Sequence, residues 1–209
     1  MIRILIADDH PVVRLGLKLI LEKEADFSVN NQARTAREAL EHVSNMNYDL
    51  VLLDISLPDR NGLEVLHQLK IEHPEIKVLV ISMHSEDLYA MRVLKEGASG
   101  YLTKDSAPED LVKAVRKVLS GGKYVSSSLA EKLAHELTSG SDRPPDRFLS
   151  NREFQVMCMI ASGKKIKDIS NELYLSEKTV STYRARILLK MNLKNNAEII
   201  RYTINNKLI

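Results

Sequence analysis

Four strand-like runs of this sequence end in side chains that could take part in chemistry. Asp8 and Asp9 follow the run IRILIA, and Asp54 ends the run VLLD. A buried carboxylate is unfavourable unless a cap, an ion-pair partner, a metal ion or a reaction compensates it. Two later runs end in the Ser82 hydroxyl and the Lys104 amine. These five side chains form one site only if the fold brings the ends of the four runs together.

Magnesium-assisted phosphoryl chemistry would explain the five residues jointly. In a parallel sheet, ligands bind at the carboxyl ends of the strands, so the side chains converge if the first strand lies beside the third. Three close carboxylates repel one another, and Mg²⁺ tolerates a few carboxylates together with water and phosphate oxygens. The cation would lower the barrier to an anionic phosphoryl group approaching Asp54, while Lys104 and Ser82 could contact its oxygens.

Each residue taken alone also has an ordinary structural explanation. Asp9 could cap the first helix, Asp54 could cap the turn that leads to Pro58, and Lys104 could be a surface lysine. The joint pattern, on the ends of four successive apolar runs, favours a functional site over these separate explanations.

The elements that must position this site alternate between strand and helix. Strands are predicted at 2–7, 27–33, 49–55, 77–83 and 100–104, and helices at 11–23, 36–45, 62–73, 86–96 and 108–120. Five such alternations predict an α/β domain with a five-stranded, doubly wound parallel sheet of the flavodoxin-like kind. Gly97, directly after the fourth helix, is typical of a left-handed helix end.

After residue 122 the pattern changes, which indicates a linker and then a second domain. Residues 123–147 are predicted to be a linker with a possible helix at 126–137, because TSGSDRPPDR is polar and contains prolines. Residues 148–209 are predicted to be all-α, with a capping box between Ser150 and Glu153. This segment carries 11 Lys and Arg against 5 Asp and Glu, whereas the rest of the chain is acidic. The basic end could meet a polyanion, or it could simply be a solvated charged face.

Residues 161–191 predict two helices joined by a tight turn. Their apolar positions recur at spacings of three and four, which defines the buried stripes: Ile166, Ile169, Leu173, Val180, Tyr183, Ile187 and Met191. The opposite face of the second helix carries Lys178, Ser181 and Thr182, with Arg186 beside them. A short helix, a turn and an exposed basic, hydroxylated helix face fit insertion into the major groove of DNA. An ordinary helical bundle with a basic solvent face is the alternative.

The front half of the chain resembles the receiver domain of two-component response regulators. The motifs are ILIADDHP, VLLDISLPDRNG, VLVISMH and GASGYLTKD, within residues 1–122. The resemblance implies that Asp54 accepts a phosphoryl group from a sensor histidine kinase or a phosphotransfer protein. It also implies a Mg²⁺ site made by Asp8, Asp9, Asp54 and the Ser56 backbone carbonyl, and a switch pair made by Ser82 and Tyr101. Receivers assist their own phosphorylation and dephosphorylation with Mg²⁺, so an enzyme in the ordinary sense is not expected. Lys104 is implied to take part in this chemistry.

The rear segment, residues 148–209, resembles the DNA-binding domain of the NarL/FixJ, or LuxR-type, helix-turn-helix regulators. The resemblance is carried by LSNREFQVMCMIASGKKIKDISNELYLSEKTVSTYRARILLKM. Within the family, Ser181 and Tyr183 are similar to the GacA/UvrY-like branch. It implies binding to double-stranded DNA at promoters and a homodimer, when active, that uses the last helix. Ser181 and Thr182 are the candidates for base contacts. Candidates for phosphate or groove-edge contacts are Lys165, Lys167, Lys178, Thr179, Arg184 and Arg186.

The favoured interpretation is a phosphorylation-switched transcription factor, and two others remain. One is a magnesium-dependent phosphohydrolase, although such enzymes usually carry Asp-x-Asp after the first strand and this chain has adjacent Asp8 and Asp9. The other is a regulator that uses its receiver only as a dimerisation scaffold. The single cysteine, Cys158, and the lack of a membrane-spanning apolar run predict a cytoplasmic protein with no membrane partner.

Overall fold

The computed structural model describes residues 1–84, 86–127, 129–131, 144–206 and 208. The chain divides into two compact units, Met1–His135 and Glu136–Ile209. The linker helix predicted at 126–137 lies largely outside the described residues, and the domain boundaries at 122 and 148 stay predictions. Within the part of the chain that the structure describes, no helix is both long enough and apolar enough to cross a membrane.

The first unit is a parallel sheet whose strands alternate with helices along the chain. The strands are β1 (Ile2–Ala7), β2 (Phe27–Ala33), β3 (Leu50–Asp54), β4 (Lys77–Ser82) and β5 (Gly100–Thr103). The helices are α1 (Pro11–Leu21), α2 (Ala36–Asn45), α3 (Gly62–Glu72), α4 (Glu86–Lys95) and α5 (Pro108–Leu119). The strand order β2-β1-β3-β4-β5 confirms the predicted fold class. Gly97 has the predicted left-handed conformation, with a φ of 97°.

The central strands are buried on both faces, which explains their continuous apolar runs. All five residues of β3 are buried, and so are the last five of β4. In the registers of these strands, Ala7 of β1 lies beside Leu53, and Asp54 lies beside Ile81. Because β1 pairs with β3, the carboxyl ends of these strands meet at one edge of the sheet.

The second unit is helical in its described residues. A short 3-10 helix (Pro145–Phe148) precedes α6 (Asn151–Ala161), α7 (Ile166–Glu172), α8 (Glu177–Lys190) and α9 (Asn196–Asn205). The capping box is present, since the Ser150 hydroxyl accepts from the Glu153 N–H and the Glu153 carboxylate accepts from the Ser150 N–H. Among the predicted buried positions, Ile166 and Tyr183 are only half-buried.

One ion pair with a buried carboxylate joins the start of α6 to the end of α8. Glu153 is 2% exposed, and the Lys190 ammonium donates to its Oε2 at 2.6 Å. Burial raises the pKa of Glu153, but the hydrogen bonds from Lys190 and Ser150 outweigh burial and hold that pKa below its ordinary value. The carboxylate therefore stabilises the folded unit only in its ionised form.

Lys190→Met removes this partner and is expected to reduce the free energy of unfolding of the second unit. The loss is about 1–2 kcal/mol at neutral pH, less than for a fully buried pair because Lys190 is 39% exposed. Since the folded pKa of Glu153 is lowered, its contribution is complete above the unfolded pKa of about 4.3 and disappears as the pH falls through the folded value. Urea unfolding at several pH values measures this.

Lys164→Met is the matched control, because the Lys164–Glu172 pair is exposed on both sides. Its effect is expected to stay within about 0.5 kcal/mol and to be insensitive to pH. Equal effects of the two substitutions would contradict a specific role for the pairing of Lys190 with the buried Glu153.

Candidate functional site

The ends of β1, β3 and β5 bring one positively charged side chain into direct contact with two negatively charged ones. The Lys104 ammonium lies 2.6 Å from Asp8 Oδ2 and 2.7 Å from Asp54 Oδ2. All three side chains are at least 97% buried, so this lysine is not the surface residue that one separate explanation required. One fixed positive charge therefore holds two carboxylates at the end of the sheet.

The pKa directions follow from burial and from this lysine. Burial raises the pKa of Asp54, and the attraction of Lys104 offsets that effect only in part. Burial lowers the pKa of Lys104, but Asp54 and Asp8 outweigh burial, so that its pKa is raised. Lys104 thus stays protonated at neutral pH and can stabilise further negative charge at Asp54.

The sheet edge also supplies a set of oxygen donors suited to a hard cation. Ligand atoms of Asp8, Asp9, His10 and Asp54 lie within 4.8 Å of one another. Asp8 and Asp54 are buried, whereas the Asp9 side chain is 34% exposed and opens the cluster to solvent. Three carboxylates at this separation fit Mg²⁺, which takes carboxylate oxygens and keeps several waters. His10, which is not in the predicted ligand set, reaches Asp9 Oδ1 at 2.7 Å through Nδ1.

The other predicted residues lie around the same edge. The Ser56 N–H donates to Asp54 Oδ1 at 3.1 Å, and a role for the Ser56 carbonyl in metal binding stays a prediction. The Ser82 hydroxyl accepts from the His84 N–H at 3.1 Å. Tyr101 is 2% exposed and donates its hydroxyl to the His84 carbonyl at 2.8 Å. Burial raises the pKa of Tyr101, so its hydroxyl remains a donor.

The contacts also bear on the separate structural explanations for Asp9 and Asp54. The N-cap of α1 is His10 and makes no side-chain cap hydrogen bond, so Asp9 does not cap that helix. Asp54 does accept from Ser56 in a local turn, but its second oxygen is bound to Lys104. The peptide bond between Lys104 and Asp105 is trans.

Two positioning residues were missed in the sequence. Arg14 is buried in the first turn of α1 and donates through Nη1 to the Asp8 carbonyl at 2.6 Å. Asp59, in the loop after Asp54, accepts from the N–H groups of Ala36 and Arg37 at 2.7 and 3.0 Å. These contacts anchor the loops on both sides of the site to α1 and α2. The only sign of the role of Arg14 in the sequence was that an arginine falls on the inward side of an amphipathic helix. Nothing in the sequence indicated the contacts of Asp59.

Gly62 is required by the close approach of α3 to the Asp54 backbone. A Cβ at this position would lie 2.2 Å from the Asp54 carbonyl oxygen and 2.7 Å from Ile55 Cα. The Gly62 N–H donates to the Ile55 carbonyl at 2.9 Å. The start of α3 therefore fixes the path of the chain that follows Asp54.

The predicted DNA-contact residues lie at the start of α7 and along α8. Ser176 caps α8 by accepting from the Thr179 N–H at 3.0 Å. Most of the predicted residues are exposed, namely Lys165, Lys167, Lys178, Ser181, Thr182 and Arg186. Thr179 and Arg184 are half-buried, and Arg184 Nε donates to Asn196 Oδ1 at 2.6 Å. Their contacts with DNA stay predictions.

Comparison with known families accounts for both units. Residues 4–116 match the response regulator receiver domain, and residues 147–203 match the bacterial regulatory proteins of the luxR family. The chain is a response regulator with a LuxR-type DNA-binding domain. This confirms the resemblance inferred from the motifs. Members of this class are not classical enzymes, which counts against the phosphohydrolase interpretation.

Relatives of known name are similar over the full length of the chain. The response regulator UvrY of Escherichia coli (strain K12) is 35% identical over 209 residues, which span 100% of this chain and 96% of UvrY. The response regulator GacA of Pseudomonas viridiflava is 35% identical over 210 residues, spanning 100% and 98%. RcsB from Salmonella enterica serovar Typhimurium, bound to the promoter rprA with the phosphomimetic BeF3-, superposes with a TM-score of 0.68 at 25% identity, over 96% of this chain and 97% of RcsB.

Gly62→Ala is expected to destabilise the first unit by about 2–4 kcal/mol, because backbone atoms of Asp54 and Ile55 must move to admit the methyl group. Gly16→Ala is the matched control, since a Cβ at Gly16 in α1 has no atom within 4 Å. There the same substitution is expected to stabilise by about 0.5–1 kcal/mol. Denaturant unfolding of the two variants measures the difference. Equal effects would contradict the close approach at Gly62.

Proposed function

We propose that this chain is a transcriptional regulator whose DNA binding is switched by phosphorylation of Asp54. The observation that carries the proposal is the contact of Lys104 with Asp54 and Asp8, beside a third carboxylate. A structural ion pair needs one carboxylate, whereas Lys104 contacts two at this edge and Asp9 is clustered with both of them. The donor would be a phosphohistidine of a sensor kinase or of a phosphotransfer protein.

In this proposal an Asp54 oxygen attacks the phosphorus of the phosphohistidine. A phosphorus–oxygen bond forms as the phosphorus–nitrogen bond breaks, and the histidine nitrogen leaves with the bonding pair. Lys104 exchanges part of its contact with Asp54 for a phosphoryl oxygen and stabilises the charge that arrives. Asp8, Asp9, Asp54 and the Ser56 carbonyl would hold Mg²⁺, which when bound neutralises charge between the carboxylates and the phosphoryl oxygens.

The switch would use the hydroxyls of Ser82 and Tyr101. The Ser82 hydroxyl accepts from the His84 N–H, and a phosphoryl oxygen on Asp54 would give that hydroxyl an acceptor to donate to. His84 also accepts from Tyr101 through its carbonyl, so a shift at Ser82 reaches the buried ring through one residue. Such a shift changes DNA affinity only if the two states of the chain bind DNA, or a second copy, with different affinities.

The output would be insertion of α8 into the major groove by a homodimer in the cytoplasm. Ser181 and Thr182 face solvent at the start of α8, where recognition helices meet base edges. The exposed lysines around them would meet phosphates. The promoter-bound RcsB relative supports this use of the domain. A dimer matches the two-fold symmetry of typical operator sites.

Treatment with acetyl phosphate and magnesium is expected to change the affinity of the full-length protein for duplex DNA by about 5-fold or more, the usual range of allosteric coupling. Fluorescence anisotropy with labelled promoter fragments measures the change. Asp54→Ala is the matched control, and its affinity should not respond to the treatment. A change of the same size in this variant, or none in the phosphorylated wild type, would contradict the proposed switch.

A further inference from the structure

Three helices of the second unit end in the same backbone motif. At each end one residue adopts the left-handed conformation: Gly163 at a φ of 81°, Tyr174 at 52° and Asn192 at 54°. The next N–H then bonds to a carbonyl five residues back, at distances of 3.2, 2.9 and 2.8 Å for Lys164, Leu175 and Leu193. This is the Schellman motif, whose left-handed position is normally glycine and sometimes asparagine.

Tyr174 is the wrong residue type for this position. Gly163 and Asn192 follow the usual preference, whereas a bulky aromatic residue is strained at positive φ because its Cβ crowds the backbone. The turn between α7 and α8 explains why the conformation is left-handed. It does not explain why a tyrosine adopts it.

Packing and hydrogen bonding within the described residues do not compensate this strain. Tyr174 is 75% exposed. Three other tyrosines of the chain donate their hydroxyls to protein acceptors, which are Asn31 for Tyr48, His84 for Tyr101 and Asp146 for Tyr202. No such acceptor is present for Tyr174 in the described residues. Strained residues without an internal benefit concentrate where a protein meets a ligand.

The position of Tyr174 indicates which ligand. It precedes Ser176, the N-cap of α8, by two residues. The N-terminal residues of a recognition helix meet base edges, so the turn before them lies beside the backbone at the edge of the groove. Phosphate oxygens are acceptors without donors, and tyrosine is one of the side chains that contact them. The exposed Lys178 lies on the same end of α8 and would meet the same polyanion.

We propose that Tyr174 is a DNA-contact residue, whose hydroxyl donates a hydrogen bond to a phosphate oxygen at the edge of the groove that α8 enters. This inference rests on the proposed DNA binding and adds a contact outside the recognition helix. Because a phosphate carries no base identity, the contact strengthens binding to any duplex and fixes the position of α8 in the groove.

The test compares full-length Tyr174→Asn and Tyr174→Phe with wild type on a mixed-sequence duplex. Tyr174→Asn removes the strain, as Asn192 does in the same motif, and is expected to raise the unfolding midpoint of the second unit by roughly 3–8 °C. It should also weaken DNA binding by about 5–20-fold. Tyr174→Phe keeps the strain and the ring but loses the hydroxyl. It should leave the midpoint unchanged and weaken binding by a similar factor.

Salt titration distinguishes this contact from a charged one. Neither tyrosine variant removes a charge, so the slope of log affinity against log salt should stay at its wild-type value. Lys178→Ala, the control, should lower that slope by about 1. Wild-type affinity in Tyr174→Phe, or a lowered midpoint in Tyr174→Asn, would overturn the inference and assign the residue to another partner or to the fold. Absence of duplex binding by wild type would instead contradict the proposed function.

Discussion

The bridge from the Lys104 ammonium to Asp8 and Asp54 is the interaction on which the first unit depends. Two carboxylates buried at one sheet edge are tolerable only because a positive charge lies within 2.7 Å of both. That contact requires β1, β3 and β5 to end at the same edge of the sheet, which the parallel pairing of β1, β3, β4 and β5 provides. It also leaves Asp9 accessible, so that the cluster can take a cation and an anionic group from solvent.

The surroundings of this bridge serve to hold it in place. Arg14 fixes the carbonyl of Asp8, Asp59 ties the loop after Asp54 to the start of α2, and Gly62 lets α3 approach the Asp54 backbone. A phosphoryl group on Asp54 would disturb a packed and hydrogen-bonded region, and interiors of this kind move between discrete arrangements. Ser82 and Tyr101 lie where such a change can reach α4. In the second unit, Glu153 and Lys190 join α6 to α8, while Lys178 and Ser181 near the start of α8 are exposed to solvent.

Much of this arrangement could be predicted from the sequence, because its signals are local. The apolar runs ending in Asp8, Asp54, Ser82 and Lys104 specify both the strands and the edge at which those residues meet. The capping box at Ser150 and the stripe through Val180 and Ile187 likewise specify helices by short-range pattern. The contacts of Asp59 with α2 and of Gly62 with Asp54 could not be predicted, since they join loops whose paths depend on the completed sheet. The positive φ of Tyr174 could not be predicted either, because a tyrosine is not the residue type that this helix-end motif normally has at its left-handed position.

Intact mass after incubation with magnesium and acetyl phosphate tests the central claim, that Asp54 accepts the phosphoryl group, most directly. Wild type is expected to gain the mass of one phosphoryl group, and Asp54→Ala is expected to gain none. Ser56→Ala should still be modified, because only its backbone is assigned to the site. An unmodified wild type, beside a control receiver that is modified under the same conditions, would contradict the account and favour the scaffold interpretation. The same adduct on Asp54→Ala would place the acceptor elsewhere.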